Sequence, residues 1–150
     1  MTPHHVRDEV RIRKLIDELA ESIRFTDFEG LKACFAPDIV SFDVGPRLRD
    51  LGSQTKLKNW EGAFAVFQPP LDYEIRNLEV TVGDDVAFAH GINRLSGMLN
   101  GKPHGAWVRW TACFQKIDDK WLIAHDHVSL PVDPIGCRAV LNLEPDGSAA

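Results

Sequence analysis

Residues 71–130 of this 150-residue chain read LDYEIRNLEVTVGDDVAFAHGINRLSGMLNGKPHGAWVRWTACFQKIDDKWLIAHDHVSL. Apolar side chains recur here at about every second position, which is the period of a β-strand. Short polar turns divide the stretch into runs, and turns of these kinds join antiparallel neighbours. The strands predicted in this way are 73–82, 86–99, 106–117 and 121–130. Residues 71–130 therefore predict a meander of antiparallel strands.

Upstream of the meander the apolar period is helical. Ile12, Leu15, Ile16, Leu19 and Ile23 follow the spacing of one face of an amphipathic helix. This first helix is therefore expected to cover one side of the sheet.

Two further elements of helical pattern precede residue 71. Asp27 can cap a short second helix that Pro37 stops, and residues 39–44 then form a short strand. Ser53 can cap a third helix, which Pro69-Pro70 closes. Helices first and strands afterwards predict an α+β domain, because a parallel α/β fold would alternate the two.

Length and composition predict one compact domain. The 150 residues, 44% hydrophobic and 26% charged, are expected to form a single domain over 1–150, with its core at about 8–135 and a tail at 136–150. The net charge of −5 argues against nucleic acid and anionic membrane as partners. No apolar run reaches the roughly 20 residues of a membrane span, and residues 1–13 are too polar for a secretory signal.

The cysteines predict the compartment. Cys34, Cys113 and Cys137 are an odd number, far apart, and without the CxxC spacing of a zinc or redox site. We therefore expect reduced thiols and a cytoplasmic location.

The predicted strands are apolar on both faces, yet three helices can cover only one face. Phe88 and Ile92 point to one side of their strand, and Ala87 and Leu95 point to the other. A homodimer through the uncovered face is expected.

Three segments carry a resemblance to a known family. They are LKACFAPD at 31–38 with FDVG at 42–45, VAFAH at 86–90, and WVRWT at 107–111 with KWLIAHDHVS at 120–129. Over nearly all of residues 10–135 the chain resembles the nuclear transport factor 2-like superfamily, in particular its SnoaL-like, ketosteroid-isomerase-related branch. The resemblance implies a cone-shaped, cystatin-like α+β fold, with three helices packed on a curved antiparallel sheet around a ligand cavity.

The resemblance also implies roles for single residues. Asp43 falls where ketosteroid isomerases place their general-base aspartate. Trp110 and Leu19 fall near the places of the oxyanion-hole aspartic acid and tyrosine, and neither side chain can stabilise a dienolate as an acid would. The resemblance therefore implies proton-transfer chemistry without steroid isomerisation.

Asp43 can be interpreted in two ways. A carboxylate half-buried in the mouth of a cavity has a raised pKa and can move protons. The alternative is a turn aspartate that accepts bonds from backbone amides before Val44-Gly45-Pro46.

His90 and Arg94 lie on one face of their predicted strand, and the resemblance turns this face toward the cavity. There Arg94 would orient a substrate oxygen and His90 would act as an acid-base partner. The alternative is a structural ion pair of Arg94 with Asp126 or with Asp43.

His125-Asp126-His127 is the densest cluster of chemistry-bearing residues. The two histidines share one face of the last strand and Asp126 lies on the other, unless a β-bulge exchanges them. The resemblance directs Asp126 into the cavity as an acid-base partner, and His127 is kept as a substrate-binding candidate. Two histidines alone are too few for zinc, so no metal site is predicted.

The third helix and the inner strand supply aromatic side chains. Trp60, Phe64 and Trp110 are predicted to wall the cavity, although core packing also accounts for aromatic residues at these positions.

The combined features predict a small-molecule-binding protein that needs no cofactor. The leading hypothesis is an isomerase or lyase that acts by acid-base catalysis on a small apolar molecule bearing a carbonyl or carboxylate. The alternative is a non-catalytic dimeric ligand-binding or assembly module, in which the polar residues form a satisfied network.

Overall fold

The computed structural model describes residues 2–149, apart from the side chains of Pro69 and Pro70, so Met1 and Ala150 of the predicted 1–150 domain lie outside the described part. Three helices pack on one curved sheet, as predicted. The helices are α1 (Pro3–Arg24), α2 (Phe28–Cys34) and α3 (Ser53–Val66). The strands are β1 (Phe35–Phe42), β2 (Asp50–Leu51), β3 (Gln68–Val82), β4 (Val86–Leu99), β5 (Lys102–Ile117), β6 (Lys120–Ser129), β7 (Val132–Asp133) and β8 (Arg138–Ala139).

The main sheet has the strand order β2-β1-β6-β5-β4-β3. The chain crosses from β2 through α3 to the far edge, and the antiparallel meander β3-β4-β5-β6 then returns to β1. This route brings β6 beside β1 in the same direction. The sheet is therefore mixed, which corrects the purely antiparallel prediction at one strand pair.

Two predicted boundaries differ from the structure. The second helix ends at Cys34, before the predicted stop at Pro37, and Pro37 lies inside β1. A register shift between Phe35 and Val40 leaves this part of β1 out of the ladder with β6, so a residue without an N–H is tolerated there. The third helix is preceded by Gly52, whose φ of 89° suits glycine, and no side chain caps it.

Helix α1 buries its predicted apolar face. Ile12 and Ile23 are fully buried, and Leu15, Ile16 and Leu19 belong to the same core cluster as Trp110, Phe114 and Ile123 of the sheet. The helix-covered side of the sheet therefore holds the core.

Strand β4 buries its small residues on the core side of the sheet. Ala87, Ala89 and Gly91 are buried, whereas Phe88 and His90 are exposed on the opposite face. A β-carbon on Gly91 would lie 3.1 Å from Ile75 Cγ2, so the covered face has little space for large side chains at this position. This packing turns the Phe88–His90–Arg94 face away from the core.

A β-bulge in β6 changes which residues face the core. Phe114 pairs with Ile123 and Cys113 pairs with His125, so Ala124 is an extra residue in β6. Without Ala124 as the extra residue, the alternation that buries Trp121 and Ile123 would turn His125 toward the core. The bulge instead buries Asp126 on the same side as Ile123.

All three cysteines are free thiols. Cys34 is buried, Cys137 is exposed, and burial raises the pKa of Cys34 to about 12. Within residues 2–149, no helix has both the length and the apolar character needed to cross a membrane.

Candidate active site

A cavity of about 700 Å³ opens between α3, the segment after β1 and the inner face of the sheet. Most of its wall is apolar. This part of the wall includes Leu19, Phe35, Trp60, Ala63, Phe67, Leu95, Val108, Trp110 and Val128. Two of the predicted acid-base residues, Asp43 and Asp126, also line the cavity.

A buried lysine lies between these two carboxylates. Lys56 Nζ is 2.9 Å from Asp43 Oδ2 and 3.0 Å from Asp126 Oδ2. The Lys56 side chain is only 2% exposed, and those of Asp43 and Asp126 are 18% and 5% exposed. All three residues line the cavity, and Asp43 is the most exposed of them.

Sequence reasoning missed Lys56, although a signal was present. Lys56, Trp60 and Ala63 follow one another at helical spacing along α3, Phe67 continues this spacing as the C-cap residue, and all four line the cavity. A lysine on an otherwise apolar helix stripe needs a buried counter-charge. That observation could have linked Lys56 to Asp43 and Asp126.

The lysine reverses the predicted protonation behaviour of Asp43. Burial alone raises the pKa of this carboxyl, but the charge and hydrogen bond of Lys56, with smaller contributions from Val44 N–H and Asn59, leave the pKa below its ordinary value. The predicted raised pKa is therefore wrong. Burial likewise lowers the pKa of Lys56, and the two carboxylates outweigh it and leave that pKa raised. Near neutral pH these shifts favour the carboxylate form of Asp43 and the ammonium form of Lys56.

Neighbouring polar groups hold the cluster in place. Ser41 Oγ donates to Asp126 Oδ1, and Lys56 Nζ also donates to Ser41 Oγ at 3.1 Å. Asn59 Nδ2 donates to Asp43 Oδ2 at 3.3 Å and to Asp50 Oδ2 at 2.8 Å. Val44 N–H donates to Asp43 Oδ1 at 2.8 Å, which is the bond expected of a turn aspartate. Asp43 therefore accepts this backbone bond and also lines the cavity.

A tyrosine adds a neutral hydroxyl to the cavity wall. Tyr73 lines the cavity, and its Oη accepts a bond of 2.7 Å from Asn93 Nδ2. Burial raises the pKa of Tyr73, so the hydroxyl keeps its proton. Because Asn93 acts as the donor, the Tyr73 O–H can donate to an oxygen placed in the cavity.

The predicted aromatic residues separate into two groups. Trp60 and Trp110 line the cavity, together with Leu19, which the resemblance placed at an oxyanion-hole position. Phe64 does not line it: its ring packs against Phe28 and Trp60 at centroid distances of 5.3 and 5.7 Å. Phe64 therefore supports the wall indirectly, through its contacts with Trp60 and with Phe28 of α2.

His90 and Arg94 lie outside the cavity, which corrects their predicted position. His90 is about half exposed, and its Nε2 is 3.6 Å from Glu79 Oε2. The Arg94 guanidinium lies 5.9 Å from the ring of Trp107 on the outer face, and its Nε has no hydrogen-bond partner. The ion pairs of Arg94 with Asp126 or Asp43 are also wrong, because Lys56 occupies that place. The small residues of β4 impose this orientation on both side chains.

His125 and His127 also lie outside the main cavity. His125 Nδ1 is 2.6 Å from the carbonyl oxygen of Val40, and Phe42 packs edge-on against both imidazole rings. His127 instead lines a smaller recess of about 430 Å³, which shares Asp43 with the main cavity. Within the described residues neither histidine belongs to a group of three metal-ligating side chains.

Chemically, the site combines a water-shielded charge cluster with an apolar chamber. Two carboxylates and one ammonium leave the cluster with one net negative charge. Asp43 can accept a proton, Tyr73 can donate a hydrogen bond, and the apolar wall can hold a hydrophobic body.

Several solved structures have a fold that matches most of this chain. A nuclear transport factor 2-like protein of unknown function from Pseudomonas putida is 28% identical, with a TM-score of 0.85 over 93% of this chain and 98% of that one. A proposed scytalone dehydratase from Novosphingobium aromaticivorans is 14% identical, with a TM-score of 0.75 over 85% and 87%. A proposed dehydratase from Streptomyces avermitilis is 17% identical, with a TM-score of 0.73 over 83% and 97%.

Sequence comparison defines the family. A search of curated protein sequences gave no match. The family model of the SnoaL-like domain matches residues 12–133, which include both carboxylates and Lys56 of the cluster. The fold, the chamber and this match agree, and the chain belongs to the SnoaL-like domain family.

Proposed function

We propose that this protein is a cofactor-independent lyase or isomerase that moves a proton on a small, mainly apolar carbonyl compound. The observation that carries the proposal is the Asp43–Lys56–Asp126 cluster at the wall of an otherwise apolar cavity. Charged groups are costly in such a setting, and clusters of this kind concentrate at functional sites.

In the proposed step, Asp43 removes a proton from a carbon next to the substrate carbonyl. The electron pair of the broken C–H bond moves toward the carbonyl oxygen, and the Tyr73 hydroxyl stabilises that oxygen by a hydrogen bond. The protonated Asp43 then returns the proton. In a β,γ-unsaturated ketone, delivery to the γ-carbon shifts the double bond into conjugation and re-forms the carbonyl, which gives an isomer. In a β-hydroxy ketone, the enolate electrons form the new C=C bond as the C–O bond breaks, and the proton leaves with the hydroxyl as water.

The low pKa of Asp43 sets a requirement on this mechanism. A weakly basic carboxylate removes a carbon-bound proton only when the developing oxyanion is stabilised and water is excluded. A single oxyanion donor contributes about 2.7–4 kcal/mol. Tyr73 would supply this donor in place of the side chains that Leu19 and Trp110 replace, so we still expect little activity on steroid substrates.

The charge of the cluster favours a neutral substrate. A carboxylate-bearing molecule would meet a buried cluster with one net negative charge. Of the other cations that line the cavity, Arg47 is paired with Asp50 and Lys58 is exposed. Arg94, the predicted anchor for a carboxylate, lies on the other face. Of the two substrate types that the sequence suggested, we therefore propose the carbonyl compound. The two similar structures described as dehydratases are in keeping with the lyase branch of the proposal.

The proposal is tested with a panel of one- and two-ring aromatic ketones, with and without a β-hydroxyl. Binding is followed by tryptophan fluorescence, since Trp60 and Trp110 lie in the wall. Turnover is followed as deuterium exchange at the carbon next to the carbonyl. Ala63→Phe fills the cavity and is expected to weaken binding about tenfold or more. Ala65→Phe, on the exposed side of the same helix, is the matched control and should bind normally.

A second candidate function is a ligand-binding module without catalysis. It is favoured by one observation: the oxygens of both carboxylates already have partners within the protein, as expected of a structural network. Binding of a ketone without exchange above the buffer rate would support this candidate over the enzyme. Absence of any binding that depends on Ala63 would contradict both.

We further propose that the protein is a homodimer. The outer face of the sheet exposes Phe88 at 46% and Val86 at 54% on β4, and Phe42 is exposed on β1. Contact with a second copy would remove this apolar surface from water. Light scattering at micromolar concentration should give twice the chain mass, and Phe88→Glu should lower it. Phe25→Glu, an exposed position at the end of α1, should not. A monomer mass for the unmodified protein would refute the proposal.

A further inference from the structure

Away from the cavity, three metal-ligating side chains meet where α1 begins. His4 Nε2 and His5 Nε2 lie 3.4 and 2.7 Å from the same oxygen, Asp84 Oδ1. The ligand atoms of these three residues all lie within 4.8 Å of one another, and no other such group of three occurs within residues 2–149. The two histidines come from α1 and the aspartate from the β3–β4 turn, so the cluster joins elements far apart in sequence.

Backbone structure fixes both sides of this cluster. Thr2 caps α1 and Pro3 occupies its first turn, so the two histidines that follow have helical geometry. Asp84 lies in a tight turn closed by a 2.8 Å bond from Gly83 N to Val86 O. A further 2.8 Å bond from Lys116 N to Asp85 O ties the turn to β5.

The donor set and its spacing suit a transition metal. Two imidazoles and one carboxylate are common zinc ligands, with bonds of about 2.0–2.2 Å. Tetrahedral ligands at such bond lengths lie about 3.3 Å apart, which the His4–Asp84 distance of 3.4 Å already matches. The His5–Asp84 pair would open by about 0.6 Å, and Asp84 can move because its side chain is 83% exposed.

The surroundings also suit a metal. Thr2 Oγ1 lies 3.4 Å from His4 Nδ1, where it can accept that N–H and leave Nε2 free as a ligand. No lysine or arginine of the described residues forms an ion pair with Asp84, whose partners are the two histidines. The positive end of α1 opposes a cation, so the carboxylate is an essential member of the set.

We propose that His4, His5 and Asp84 form a site for one divalent transition-metal ion, zinc above all, with a coordination position left to water. The cavity lies beside Leu19, several turns along α1, so this ion would take no part in the proton transfer. Its role would be structural, tethering the start of α1 to the β3–β4 turn. The expectation of no metal site considered only His125 and His127, because the sequence does not show that residues 4, 5 and 84 meet.

The test uses the full chain, expressed without a histidine tag and freed of metal by a chelator. Zinc is titrated by calorimetry, cobalt is followed by its visible spectrum, and the melting temperature is recorded with and without zinc. Asp84→Asn removes the shared carboxylate. Asp85→Asn, its neighbour in the same turn, is the matched control, and every other histidine stays in place in both variants.

We expect one zinc ion per chain with a dissociation constant of about 10 µM or tighter. Asp84→Asn should weaken binding about tenfold or more and abolish the rise in melting temperature, and Asp85→Asn should do neither. If Asp84→Asn binds zinc as tightly as the unmodified chain, the metal binds at a site other than His4, His5 and Asp84. That outcome, or a stoichiometry well below one in the unmodified chain, would overturn the proposal.

Discussion

Replacing Lys56 by methionine is expected to lower the free energy of unfolding by about 3–5 kcal/mol. The two side chains have similar length, so the substitution removes the ammonium and leaves little empty space. Asp43 and Asp126 would then lie buried beside each other without their counter-charge. Chemical denaturation at pH 7 measures the effect. Lys58→Met, at an exposed lysine of the same helix, is the control and should change the free energy of unfolding by less than about 0.5 kcal/mol.

The loss should depend on pH with a definite sign. In the unmodified protein the folded-state pKa of Asp43 is lowered, so its contribution to stability is present above the unfolded-state pKa and is lost as the pH falls through the folded value. In Lys56→Met, burial dominates and raises the pKa of Asp43. As the pH falls, protonation of Asp43 removes its unpaired buried charge and lessens the destabilisation of the variant. The difference between the two proteins should therefore shrink from pH 7 toward pH 4. A constant difference would contradict the electrostatic explanation.

The same explanation predicts partial rescue. Adding Asp126→Asn to Lys56→Met removes one of the two unpaired charges, so the double variant should be more stable than Lys56→Met alone. If the double variant loses as much free energy of unfolding as the two single variants together, the charges of Lys56 and Asp126 are not energetically coupled.

Asp43→Asn is expected to reduce proton exchange on a bound ketone by about 10²–10⁴-fold while the fold is retained. An amide has nearly the shape of the carboxylate but cannot accept the proton. The variant leaves Lys56 paired with Asp126, so no buried charge loses its partner. Exchange in deuterium oxide and binding by tryptophan fluorescence are measured on the same protein.

Binding should survive this substitution, because the wall that holds the apolar part of the ligand is unchanged. Asp38→Asn, an exposed aspartate on the same strand β1, is the control and should leave exchange at the level of the unmodified protein. If Asp43→Asn exchanges the ketone proton at the original rate, Asp43 is not the base, and the ligand-binding module becomes the better proposal.

The general architecture was predictable because it depends on local pattern. A helical period over Ile12–Ile23 and a period of two over residues 71–130 each require only that apolar side chains lie on one face. The resemblance added the position of Asp43 at the end of β1, beside the cavity. These features follow from the order of residues along the chain, and the structure confirms the fold class.

The faces of the strands were harder to predict. Alternation shows that Phe88, His90 and Arg94 share a side, but it does not show which side the helices cover. In the structure Ala87, Ala89 and Gly91 are buried on the core side of β4, whereas Phe88 and His90 are exposed on the other side. His90 and Arg94 were consequently assigned to the wrong face.

The sequence by itself determined the α+β fold, and the family resemblance pointed to Asp43, which lines the cavity with Trp60 and Trp110. Only the tertiary structure decided the partners of that carboxylate. The bulge at Ala124 turns Asp126 inward, and α3 brings Lys56 to within 3.0 Å of both acids. A one-residue irregularity and the docking of a helix depend on packing across the whole sheet, and electrostatic interactions depend on distances that the linear pattern does not contain.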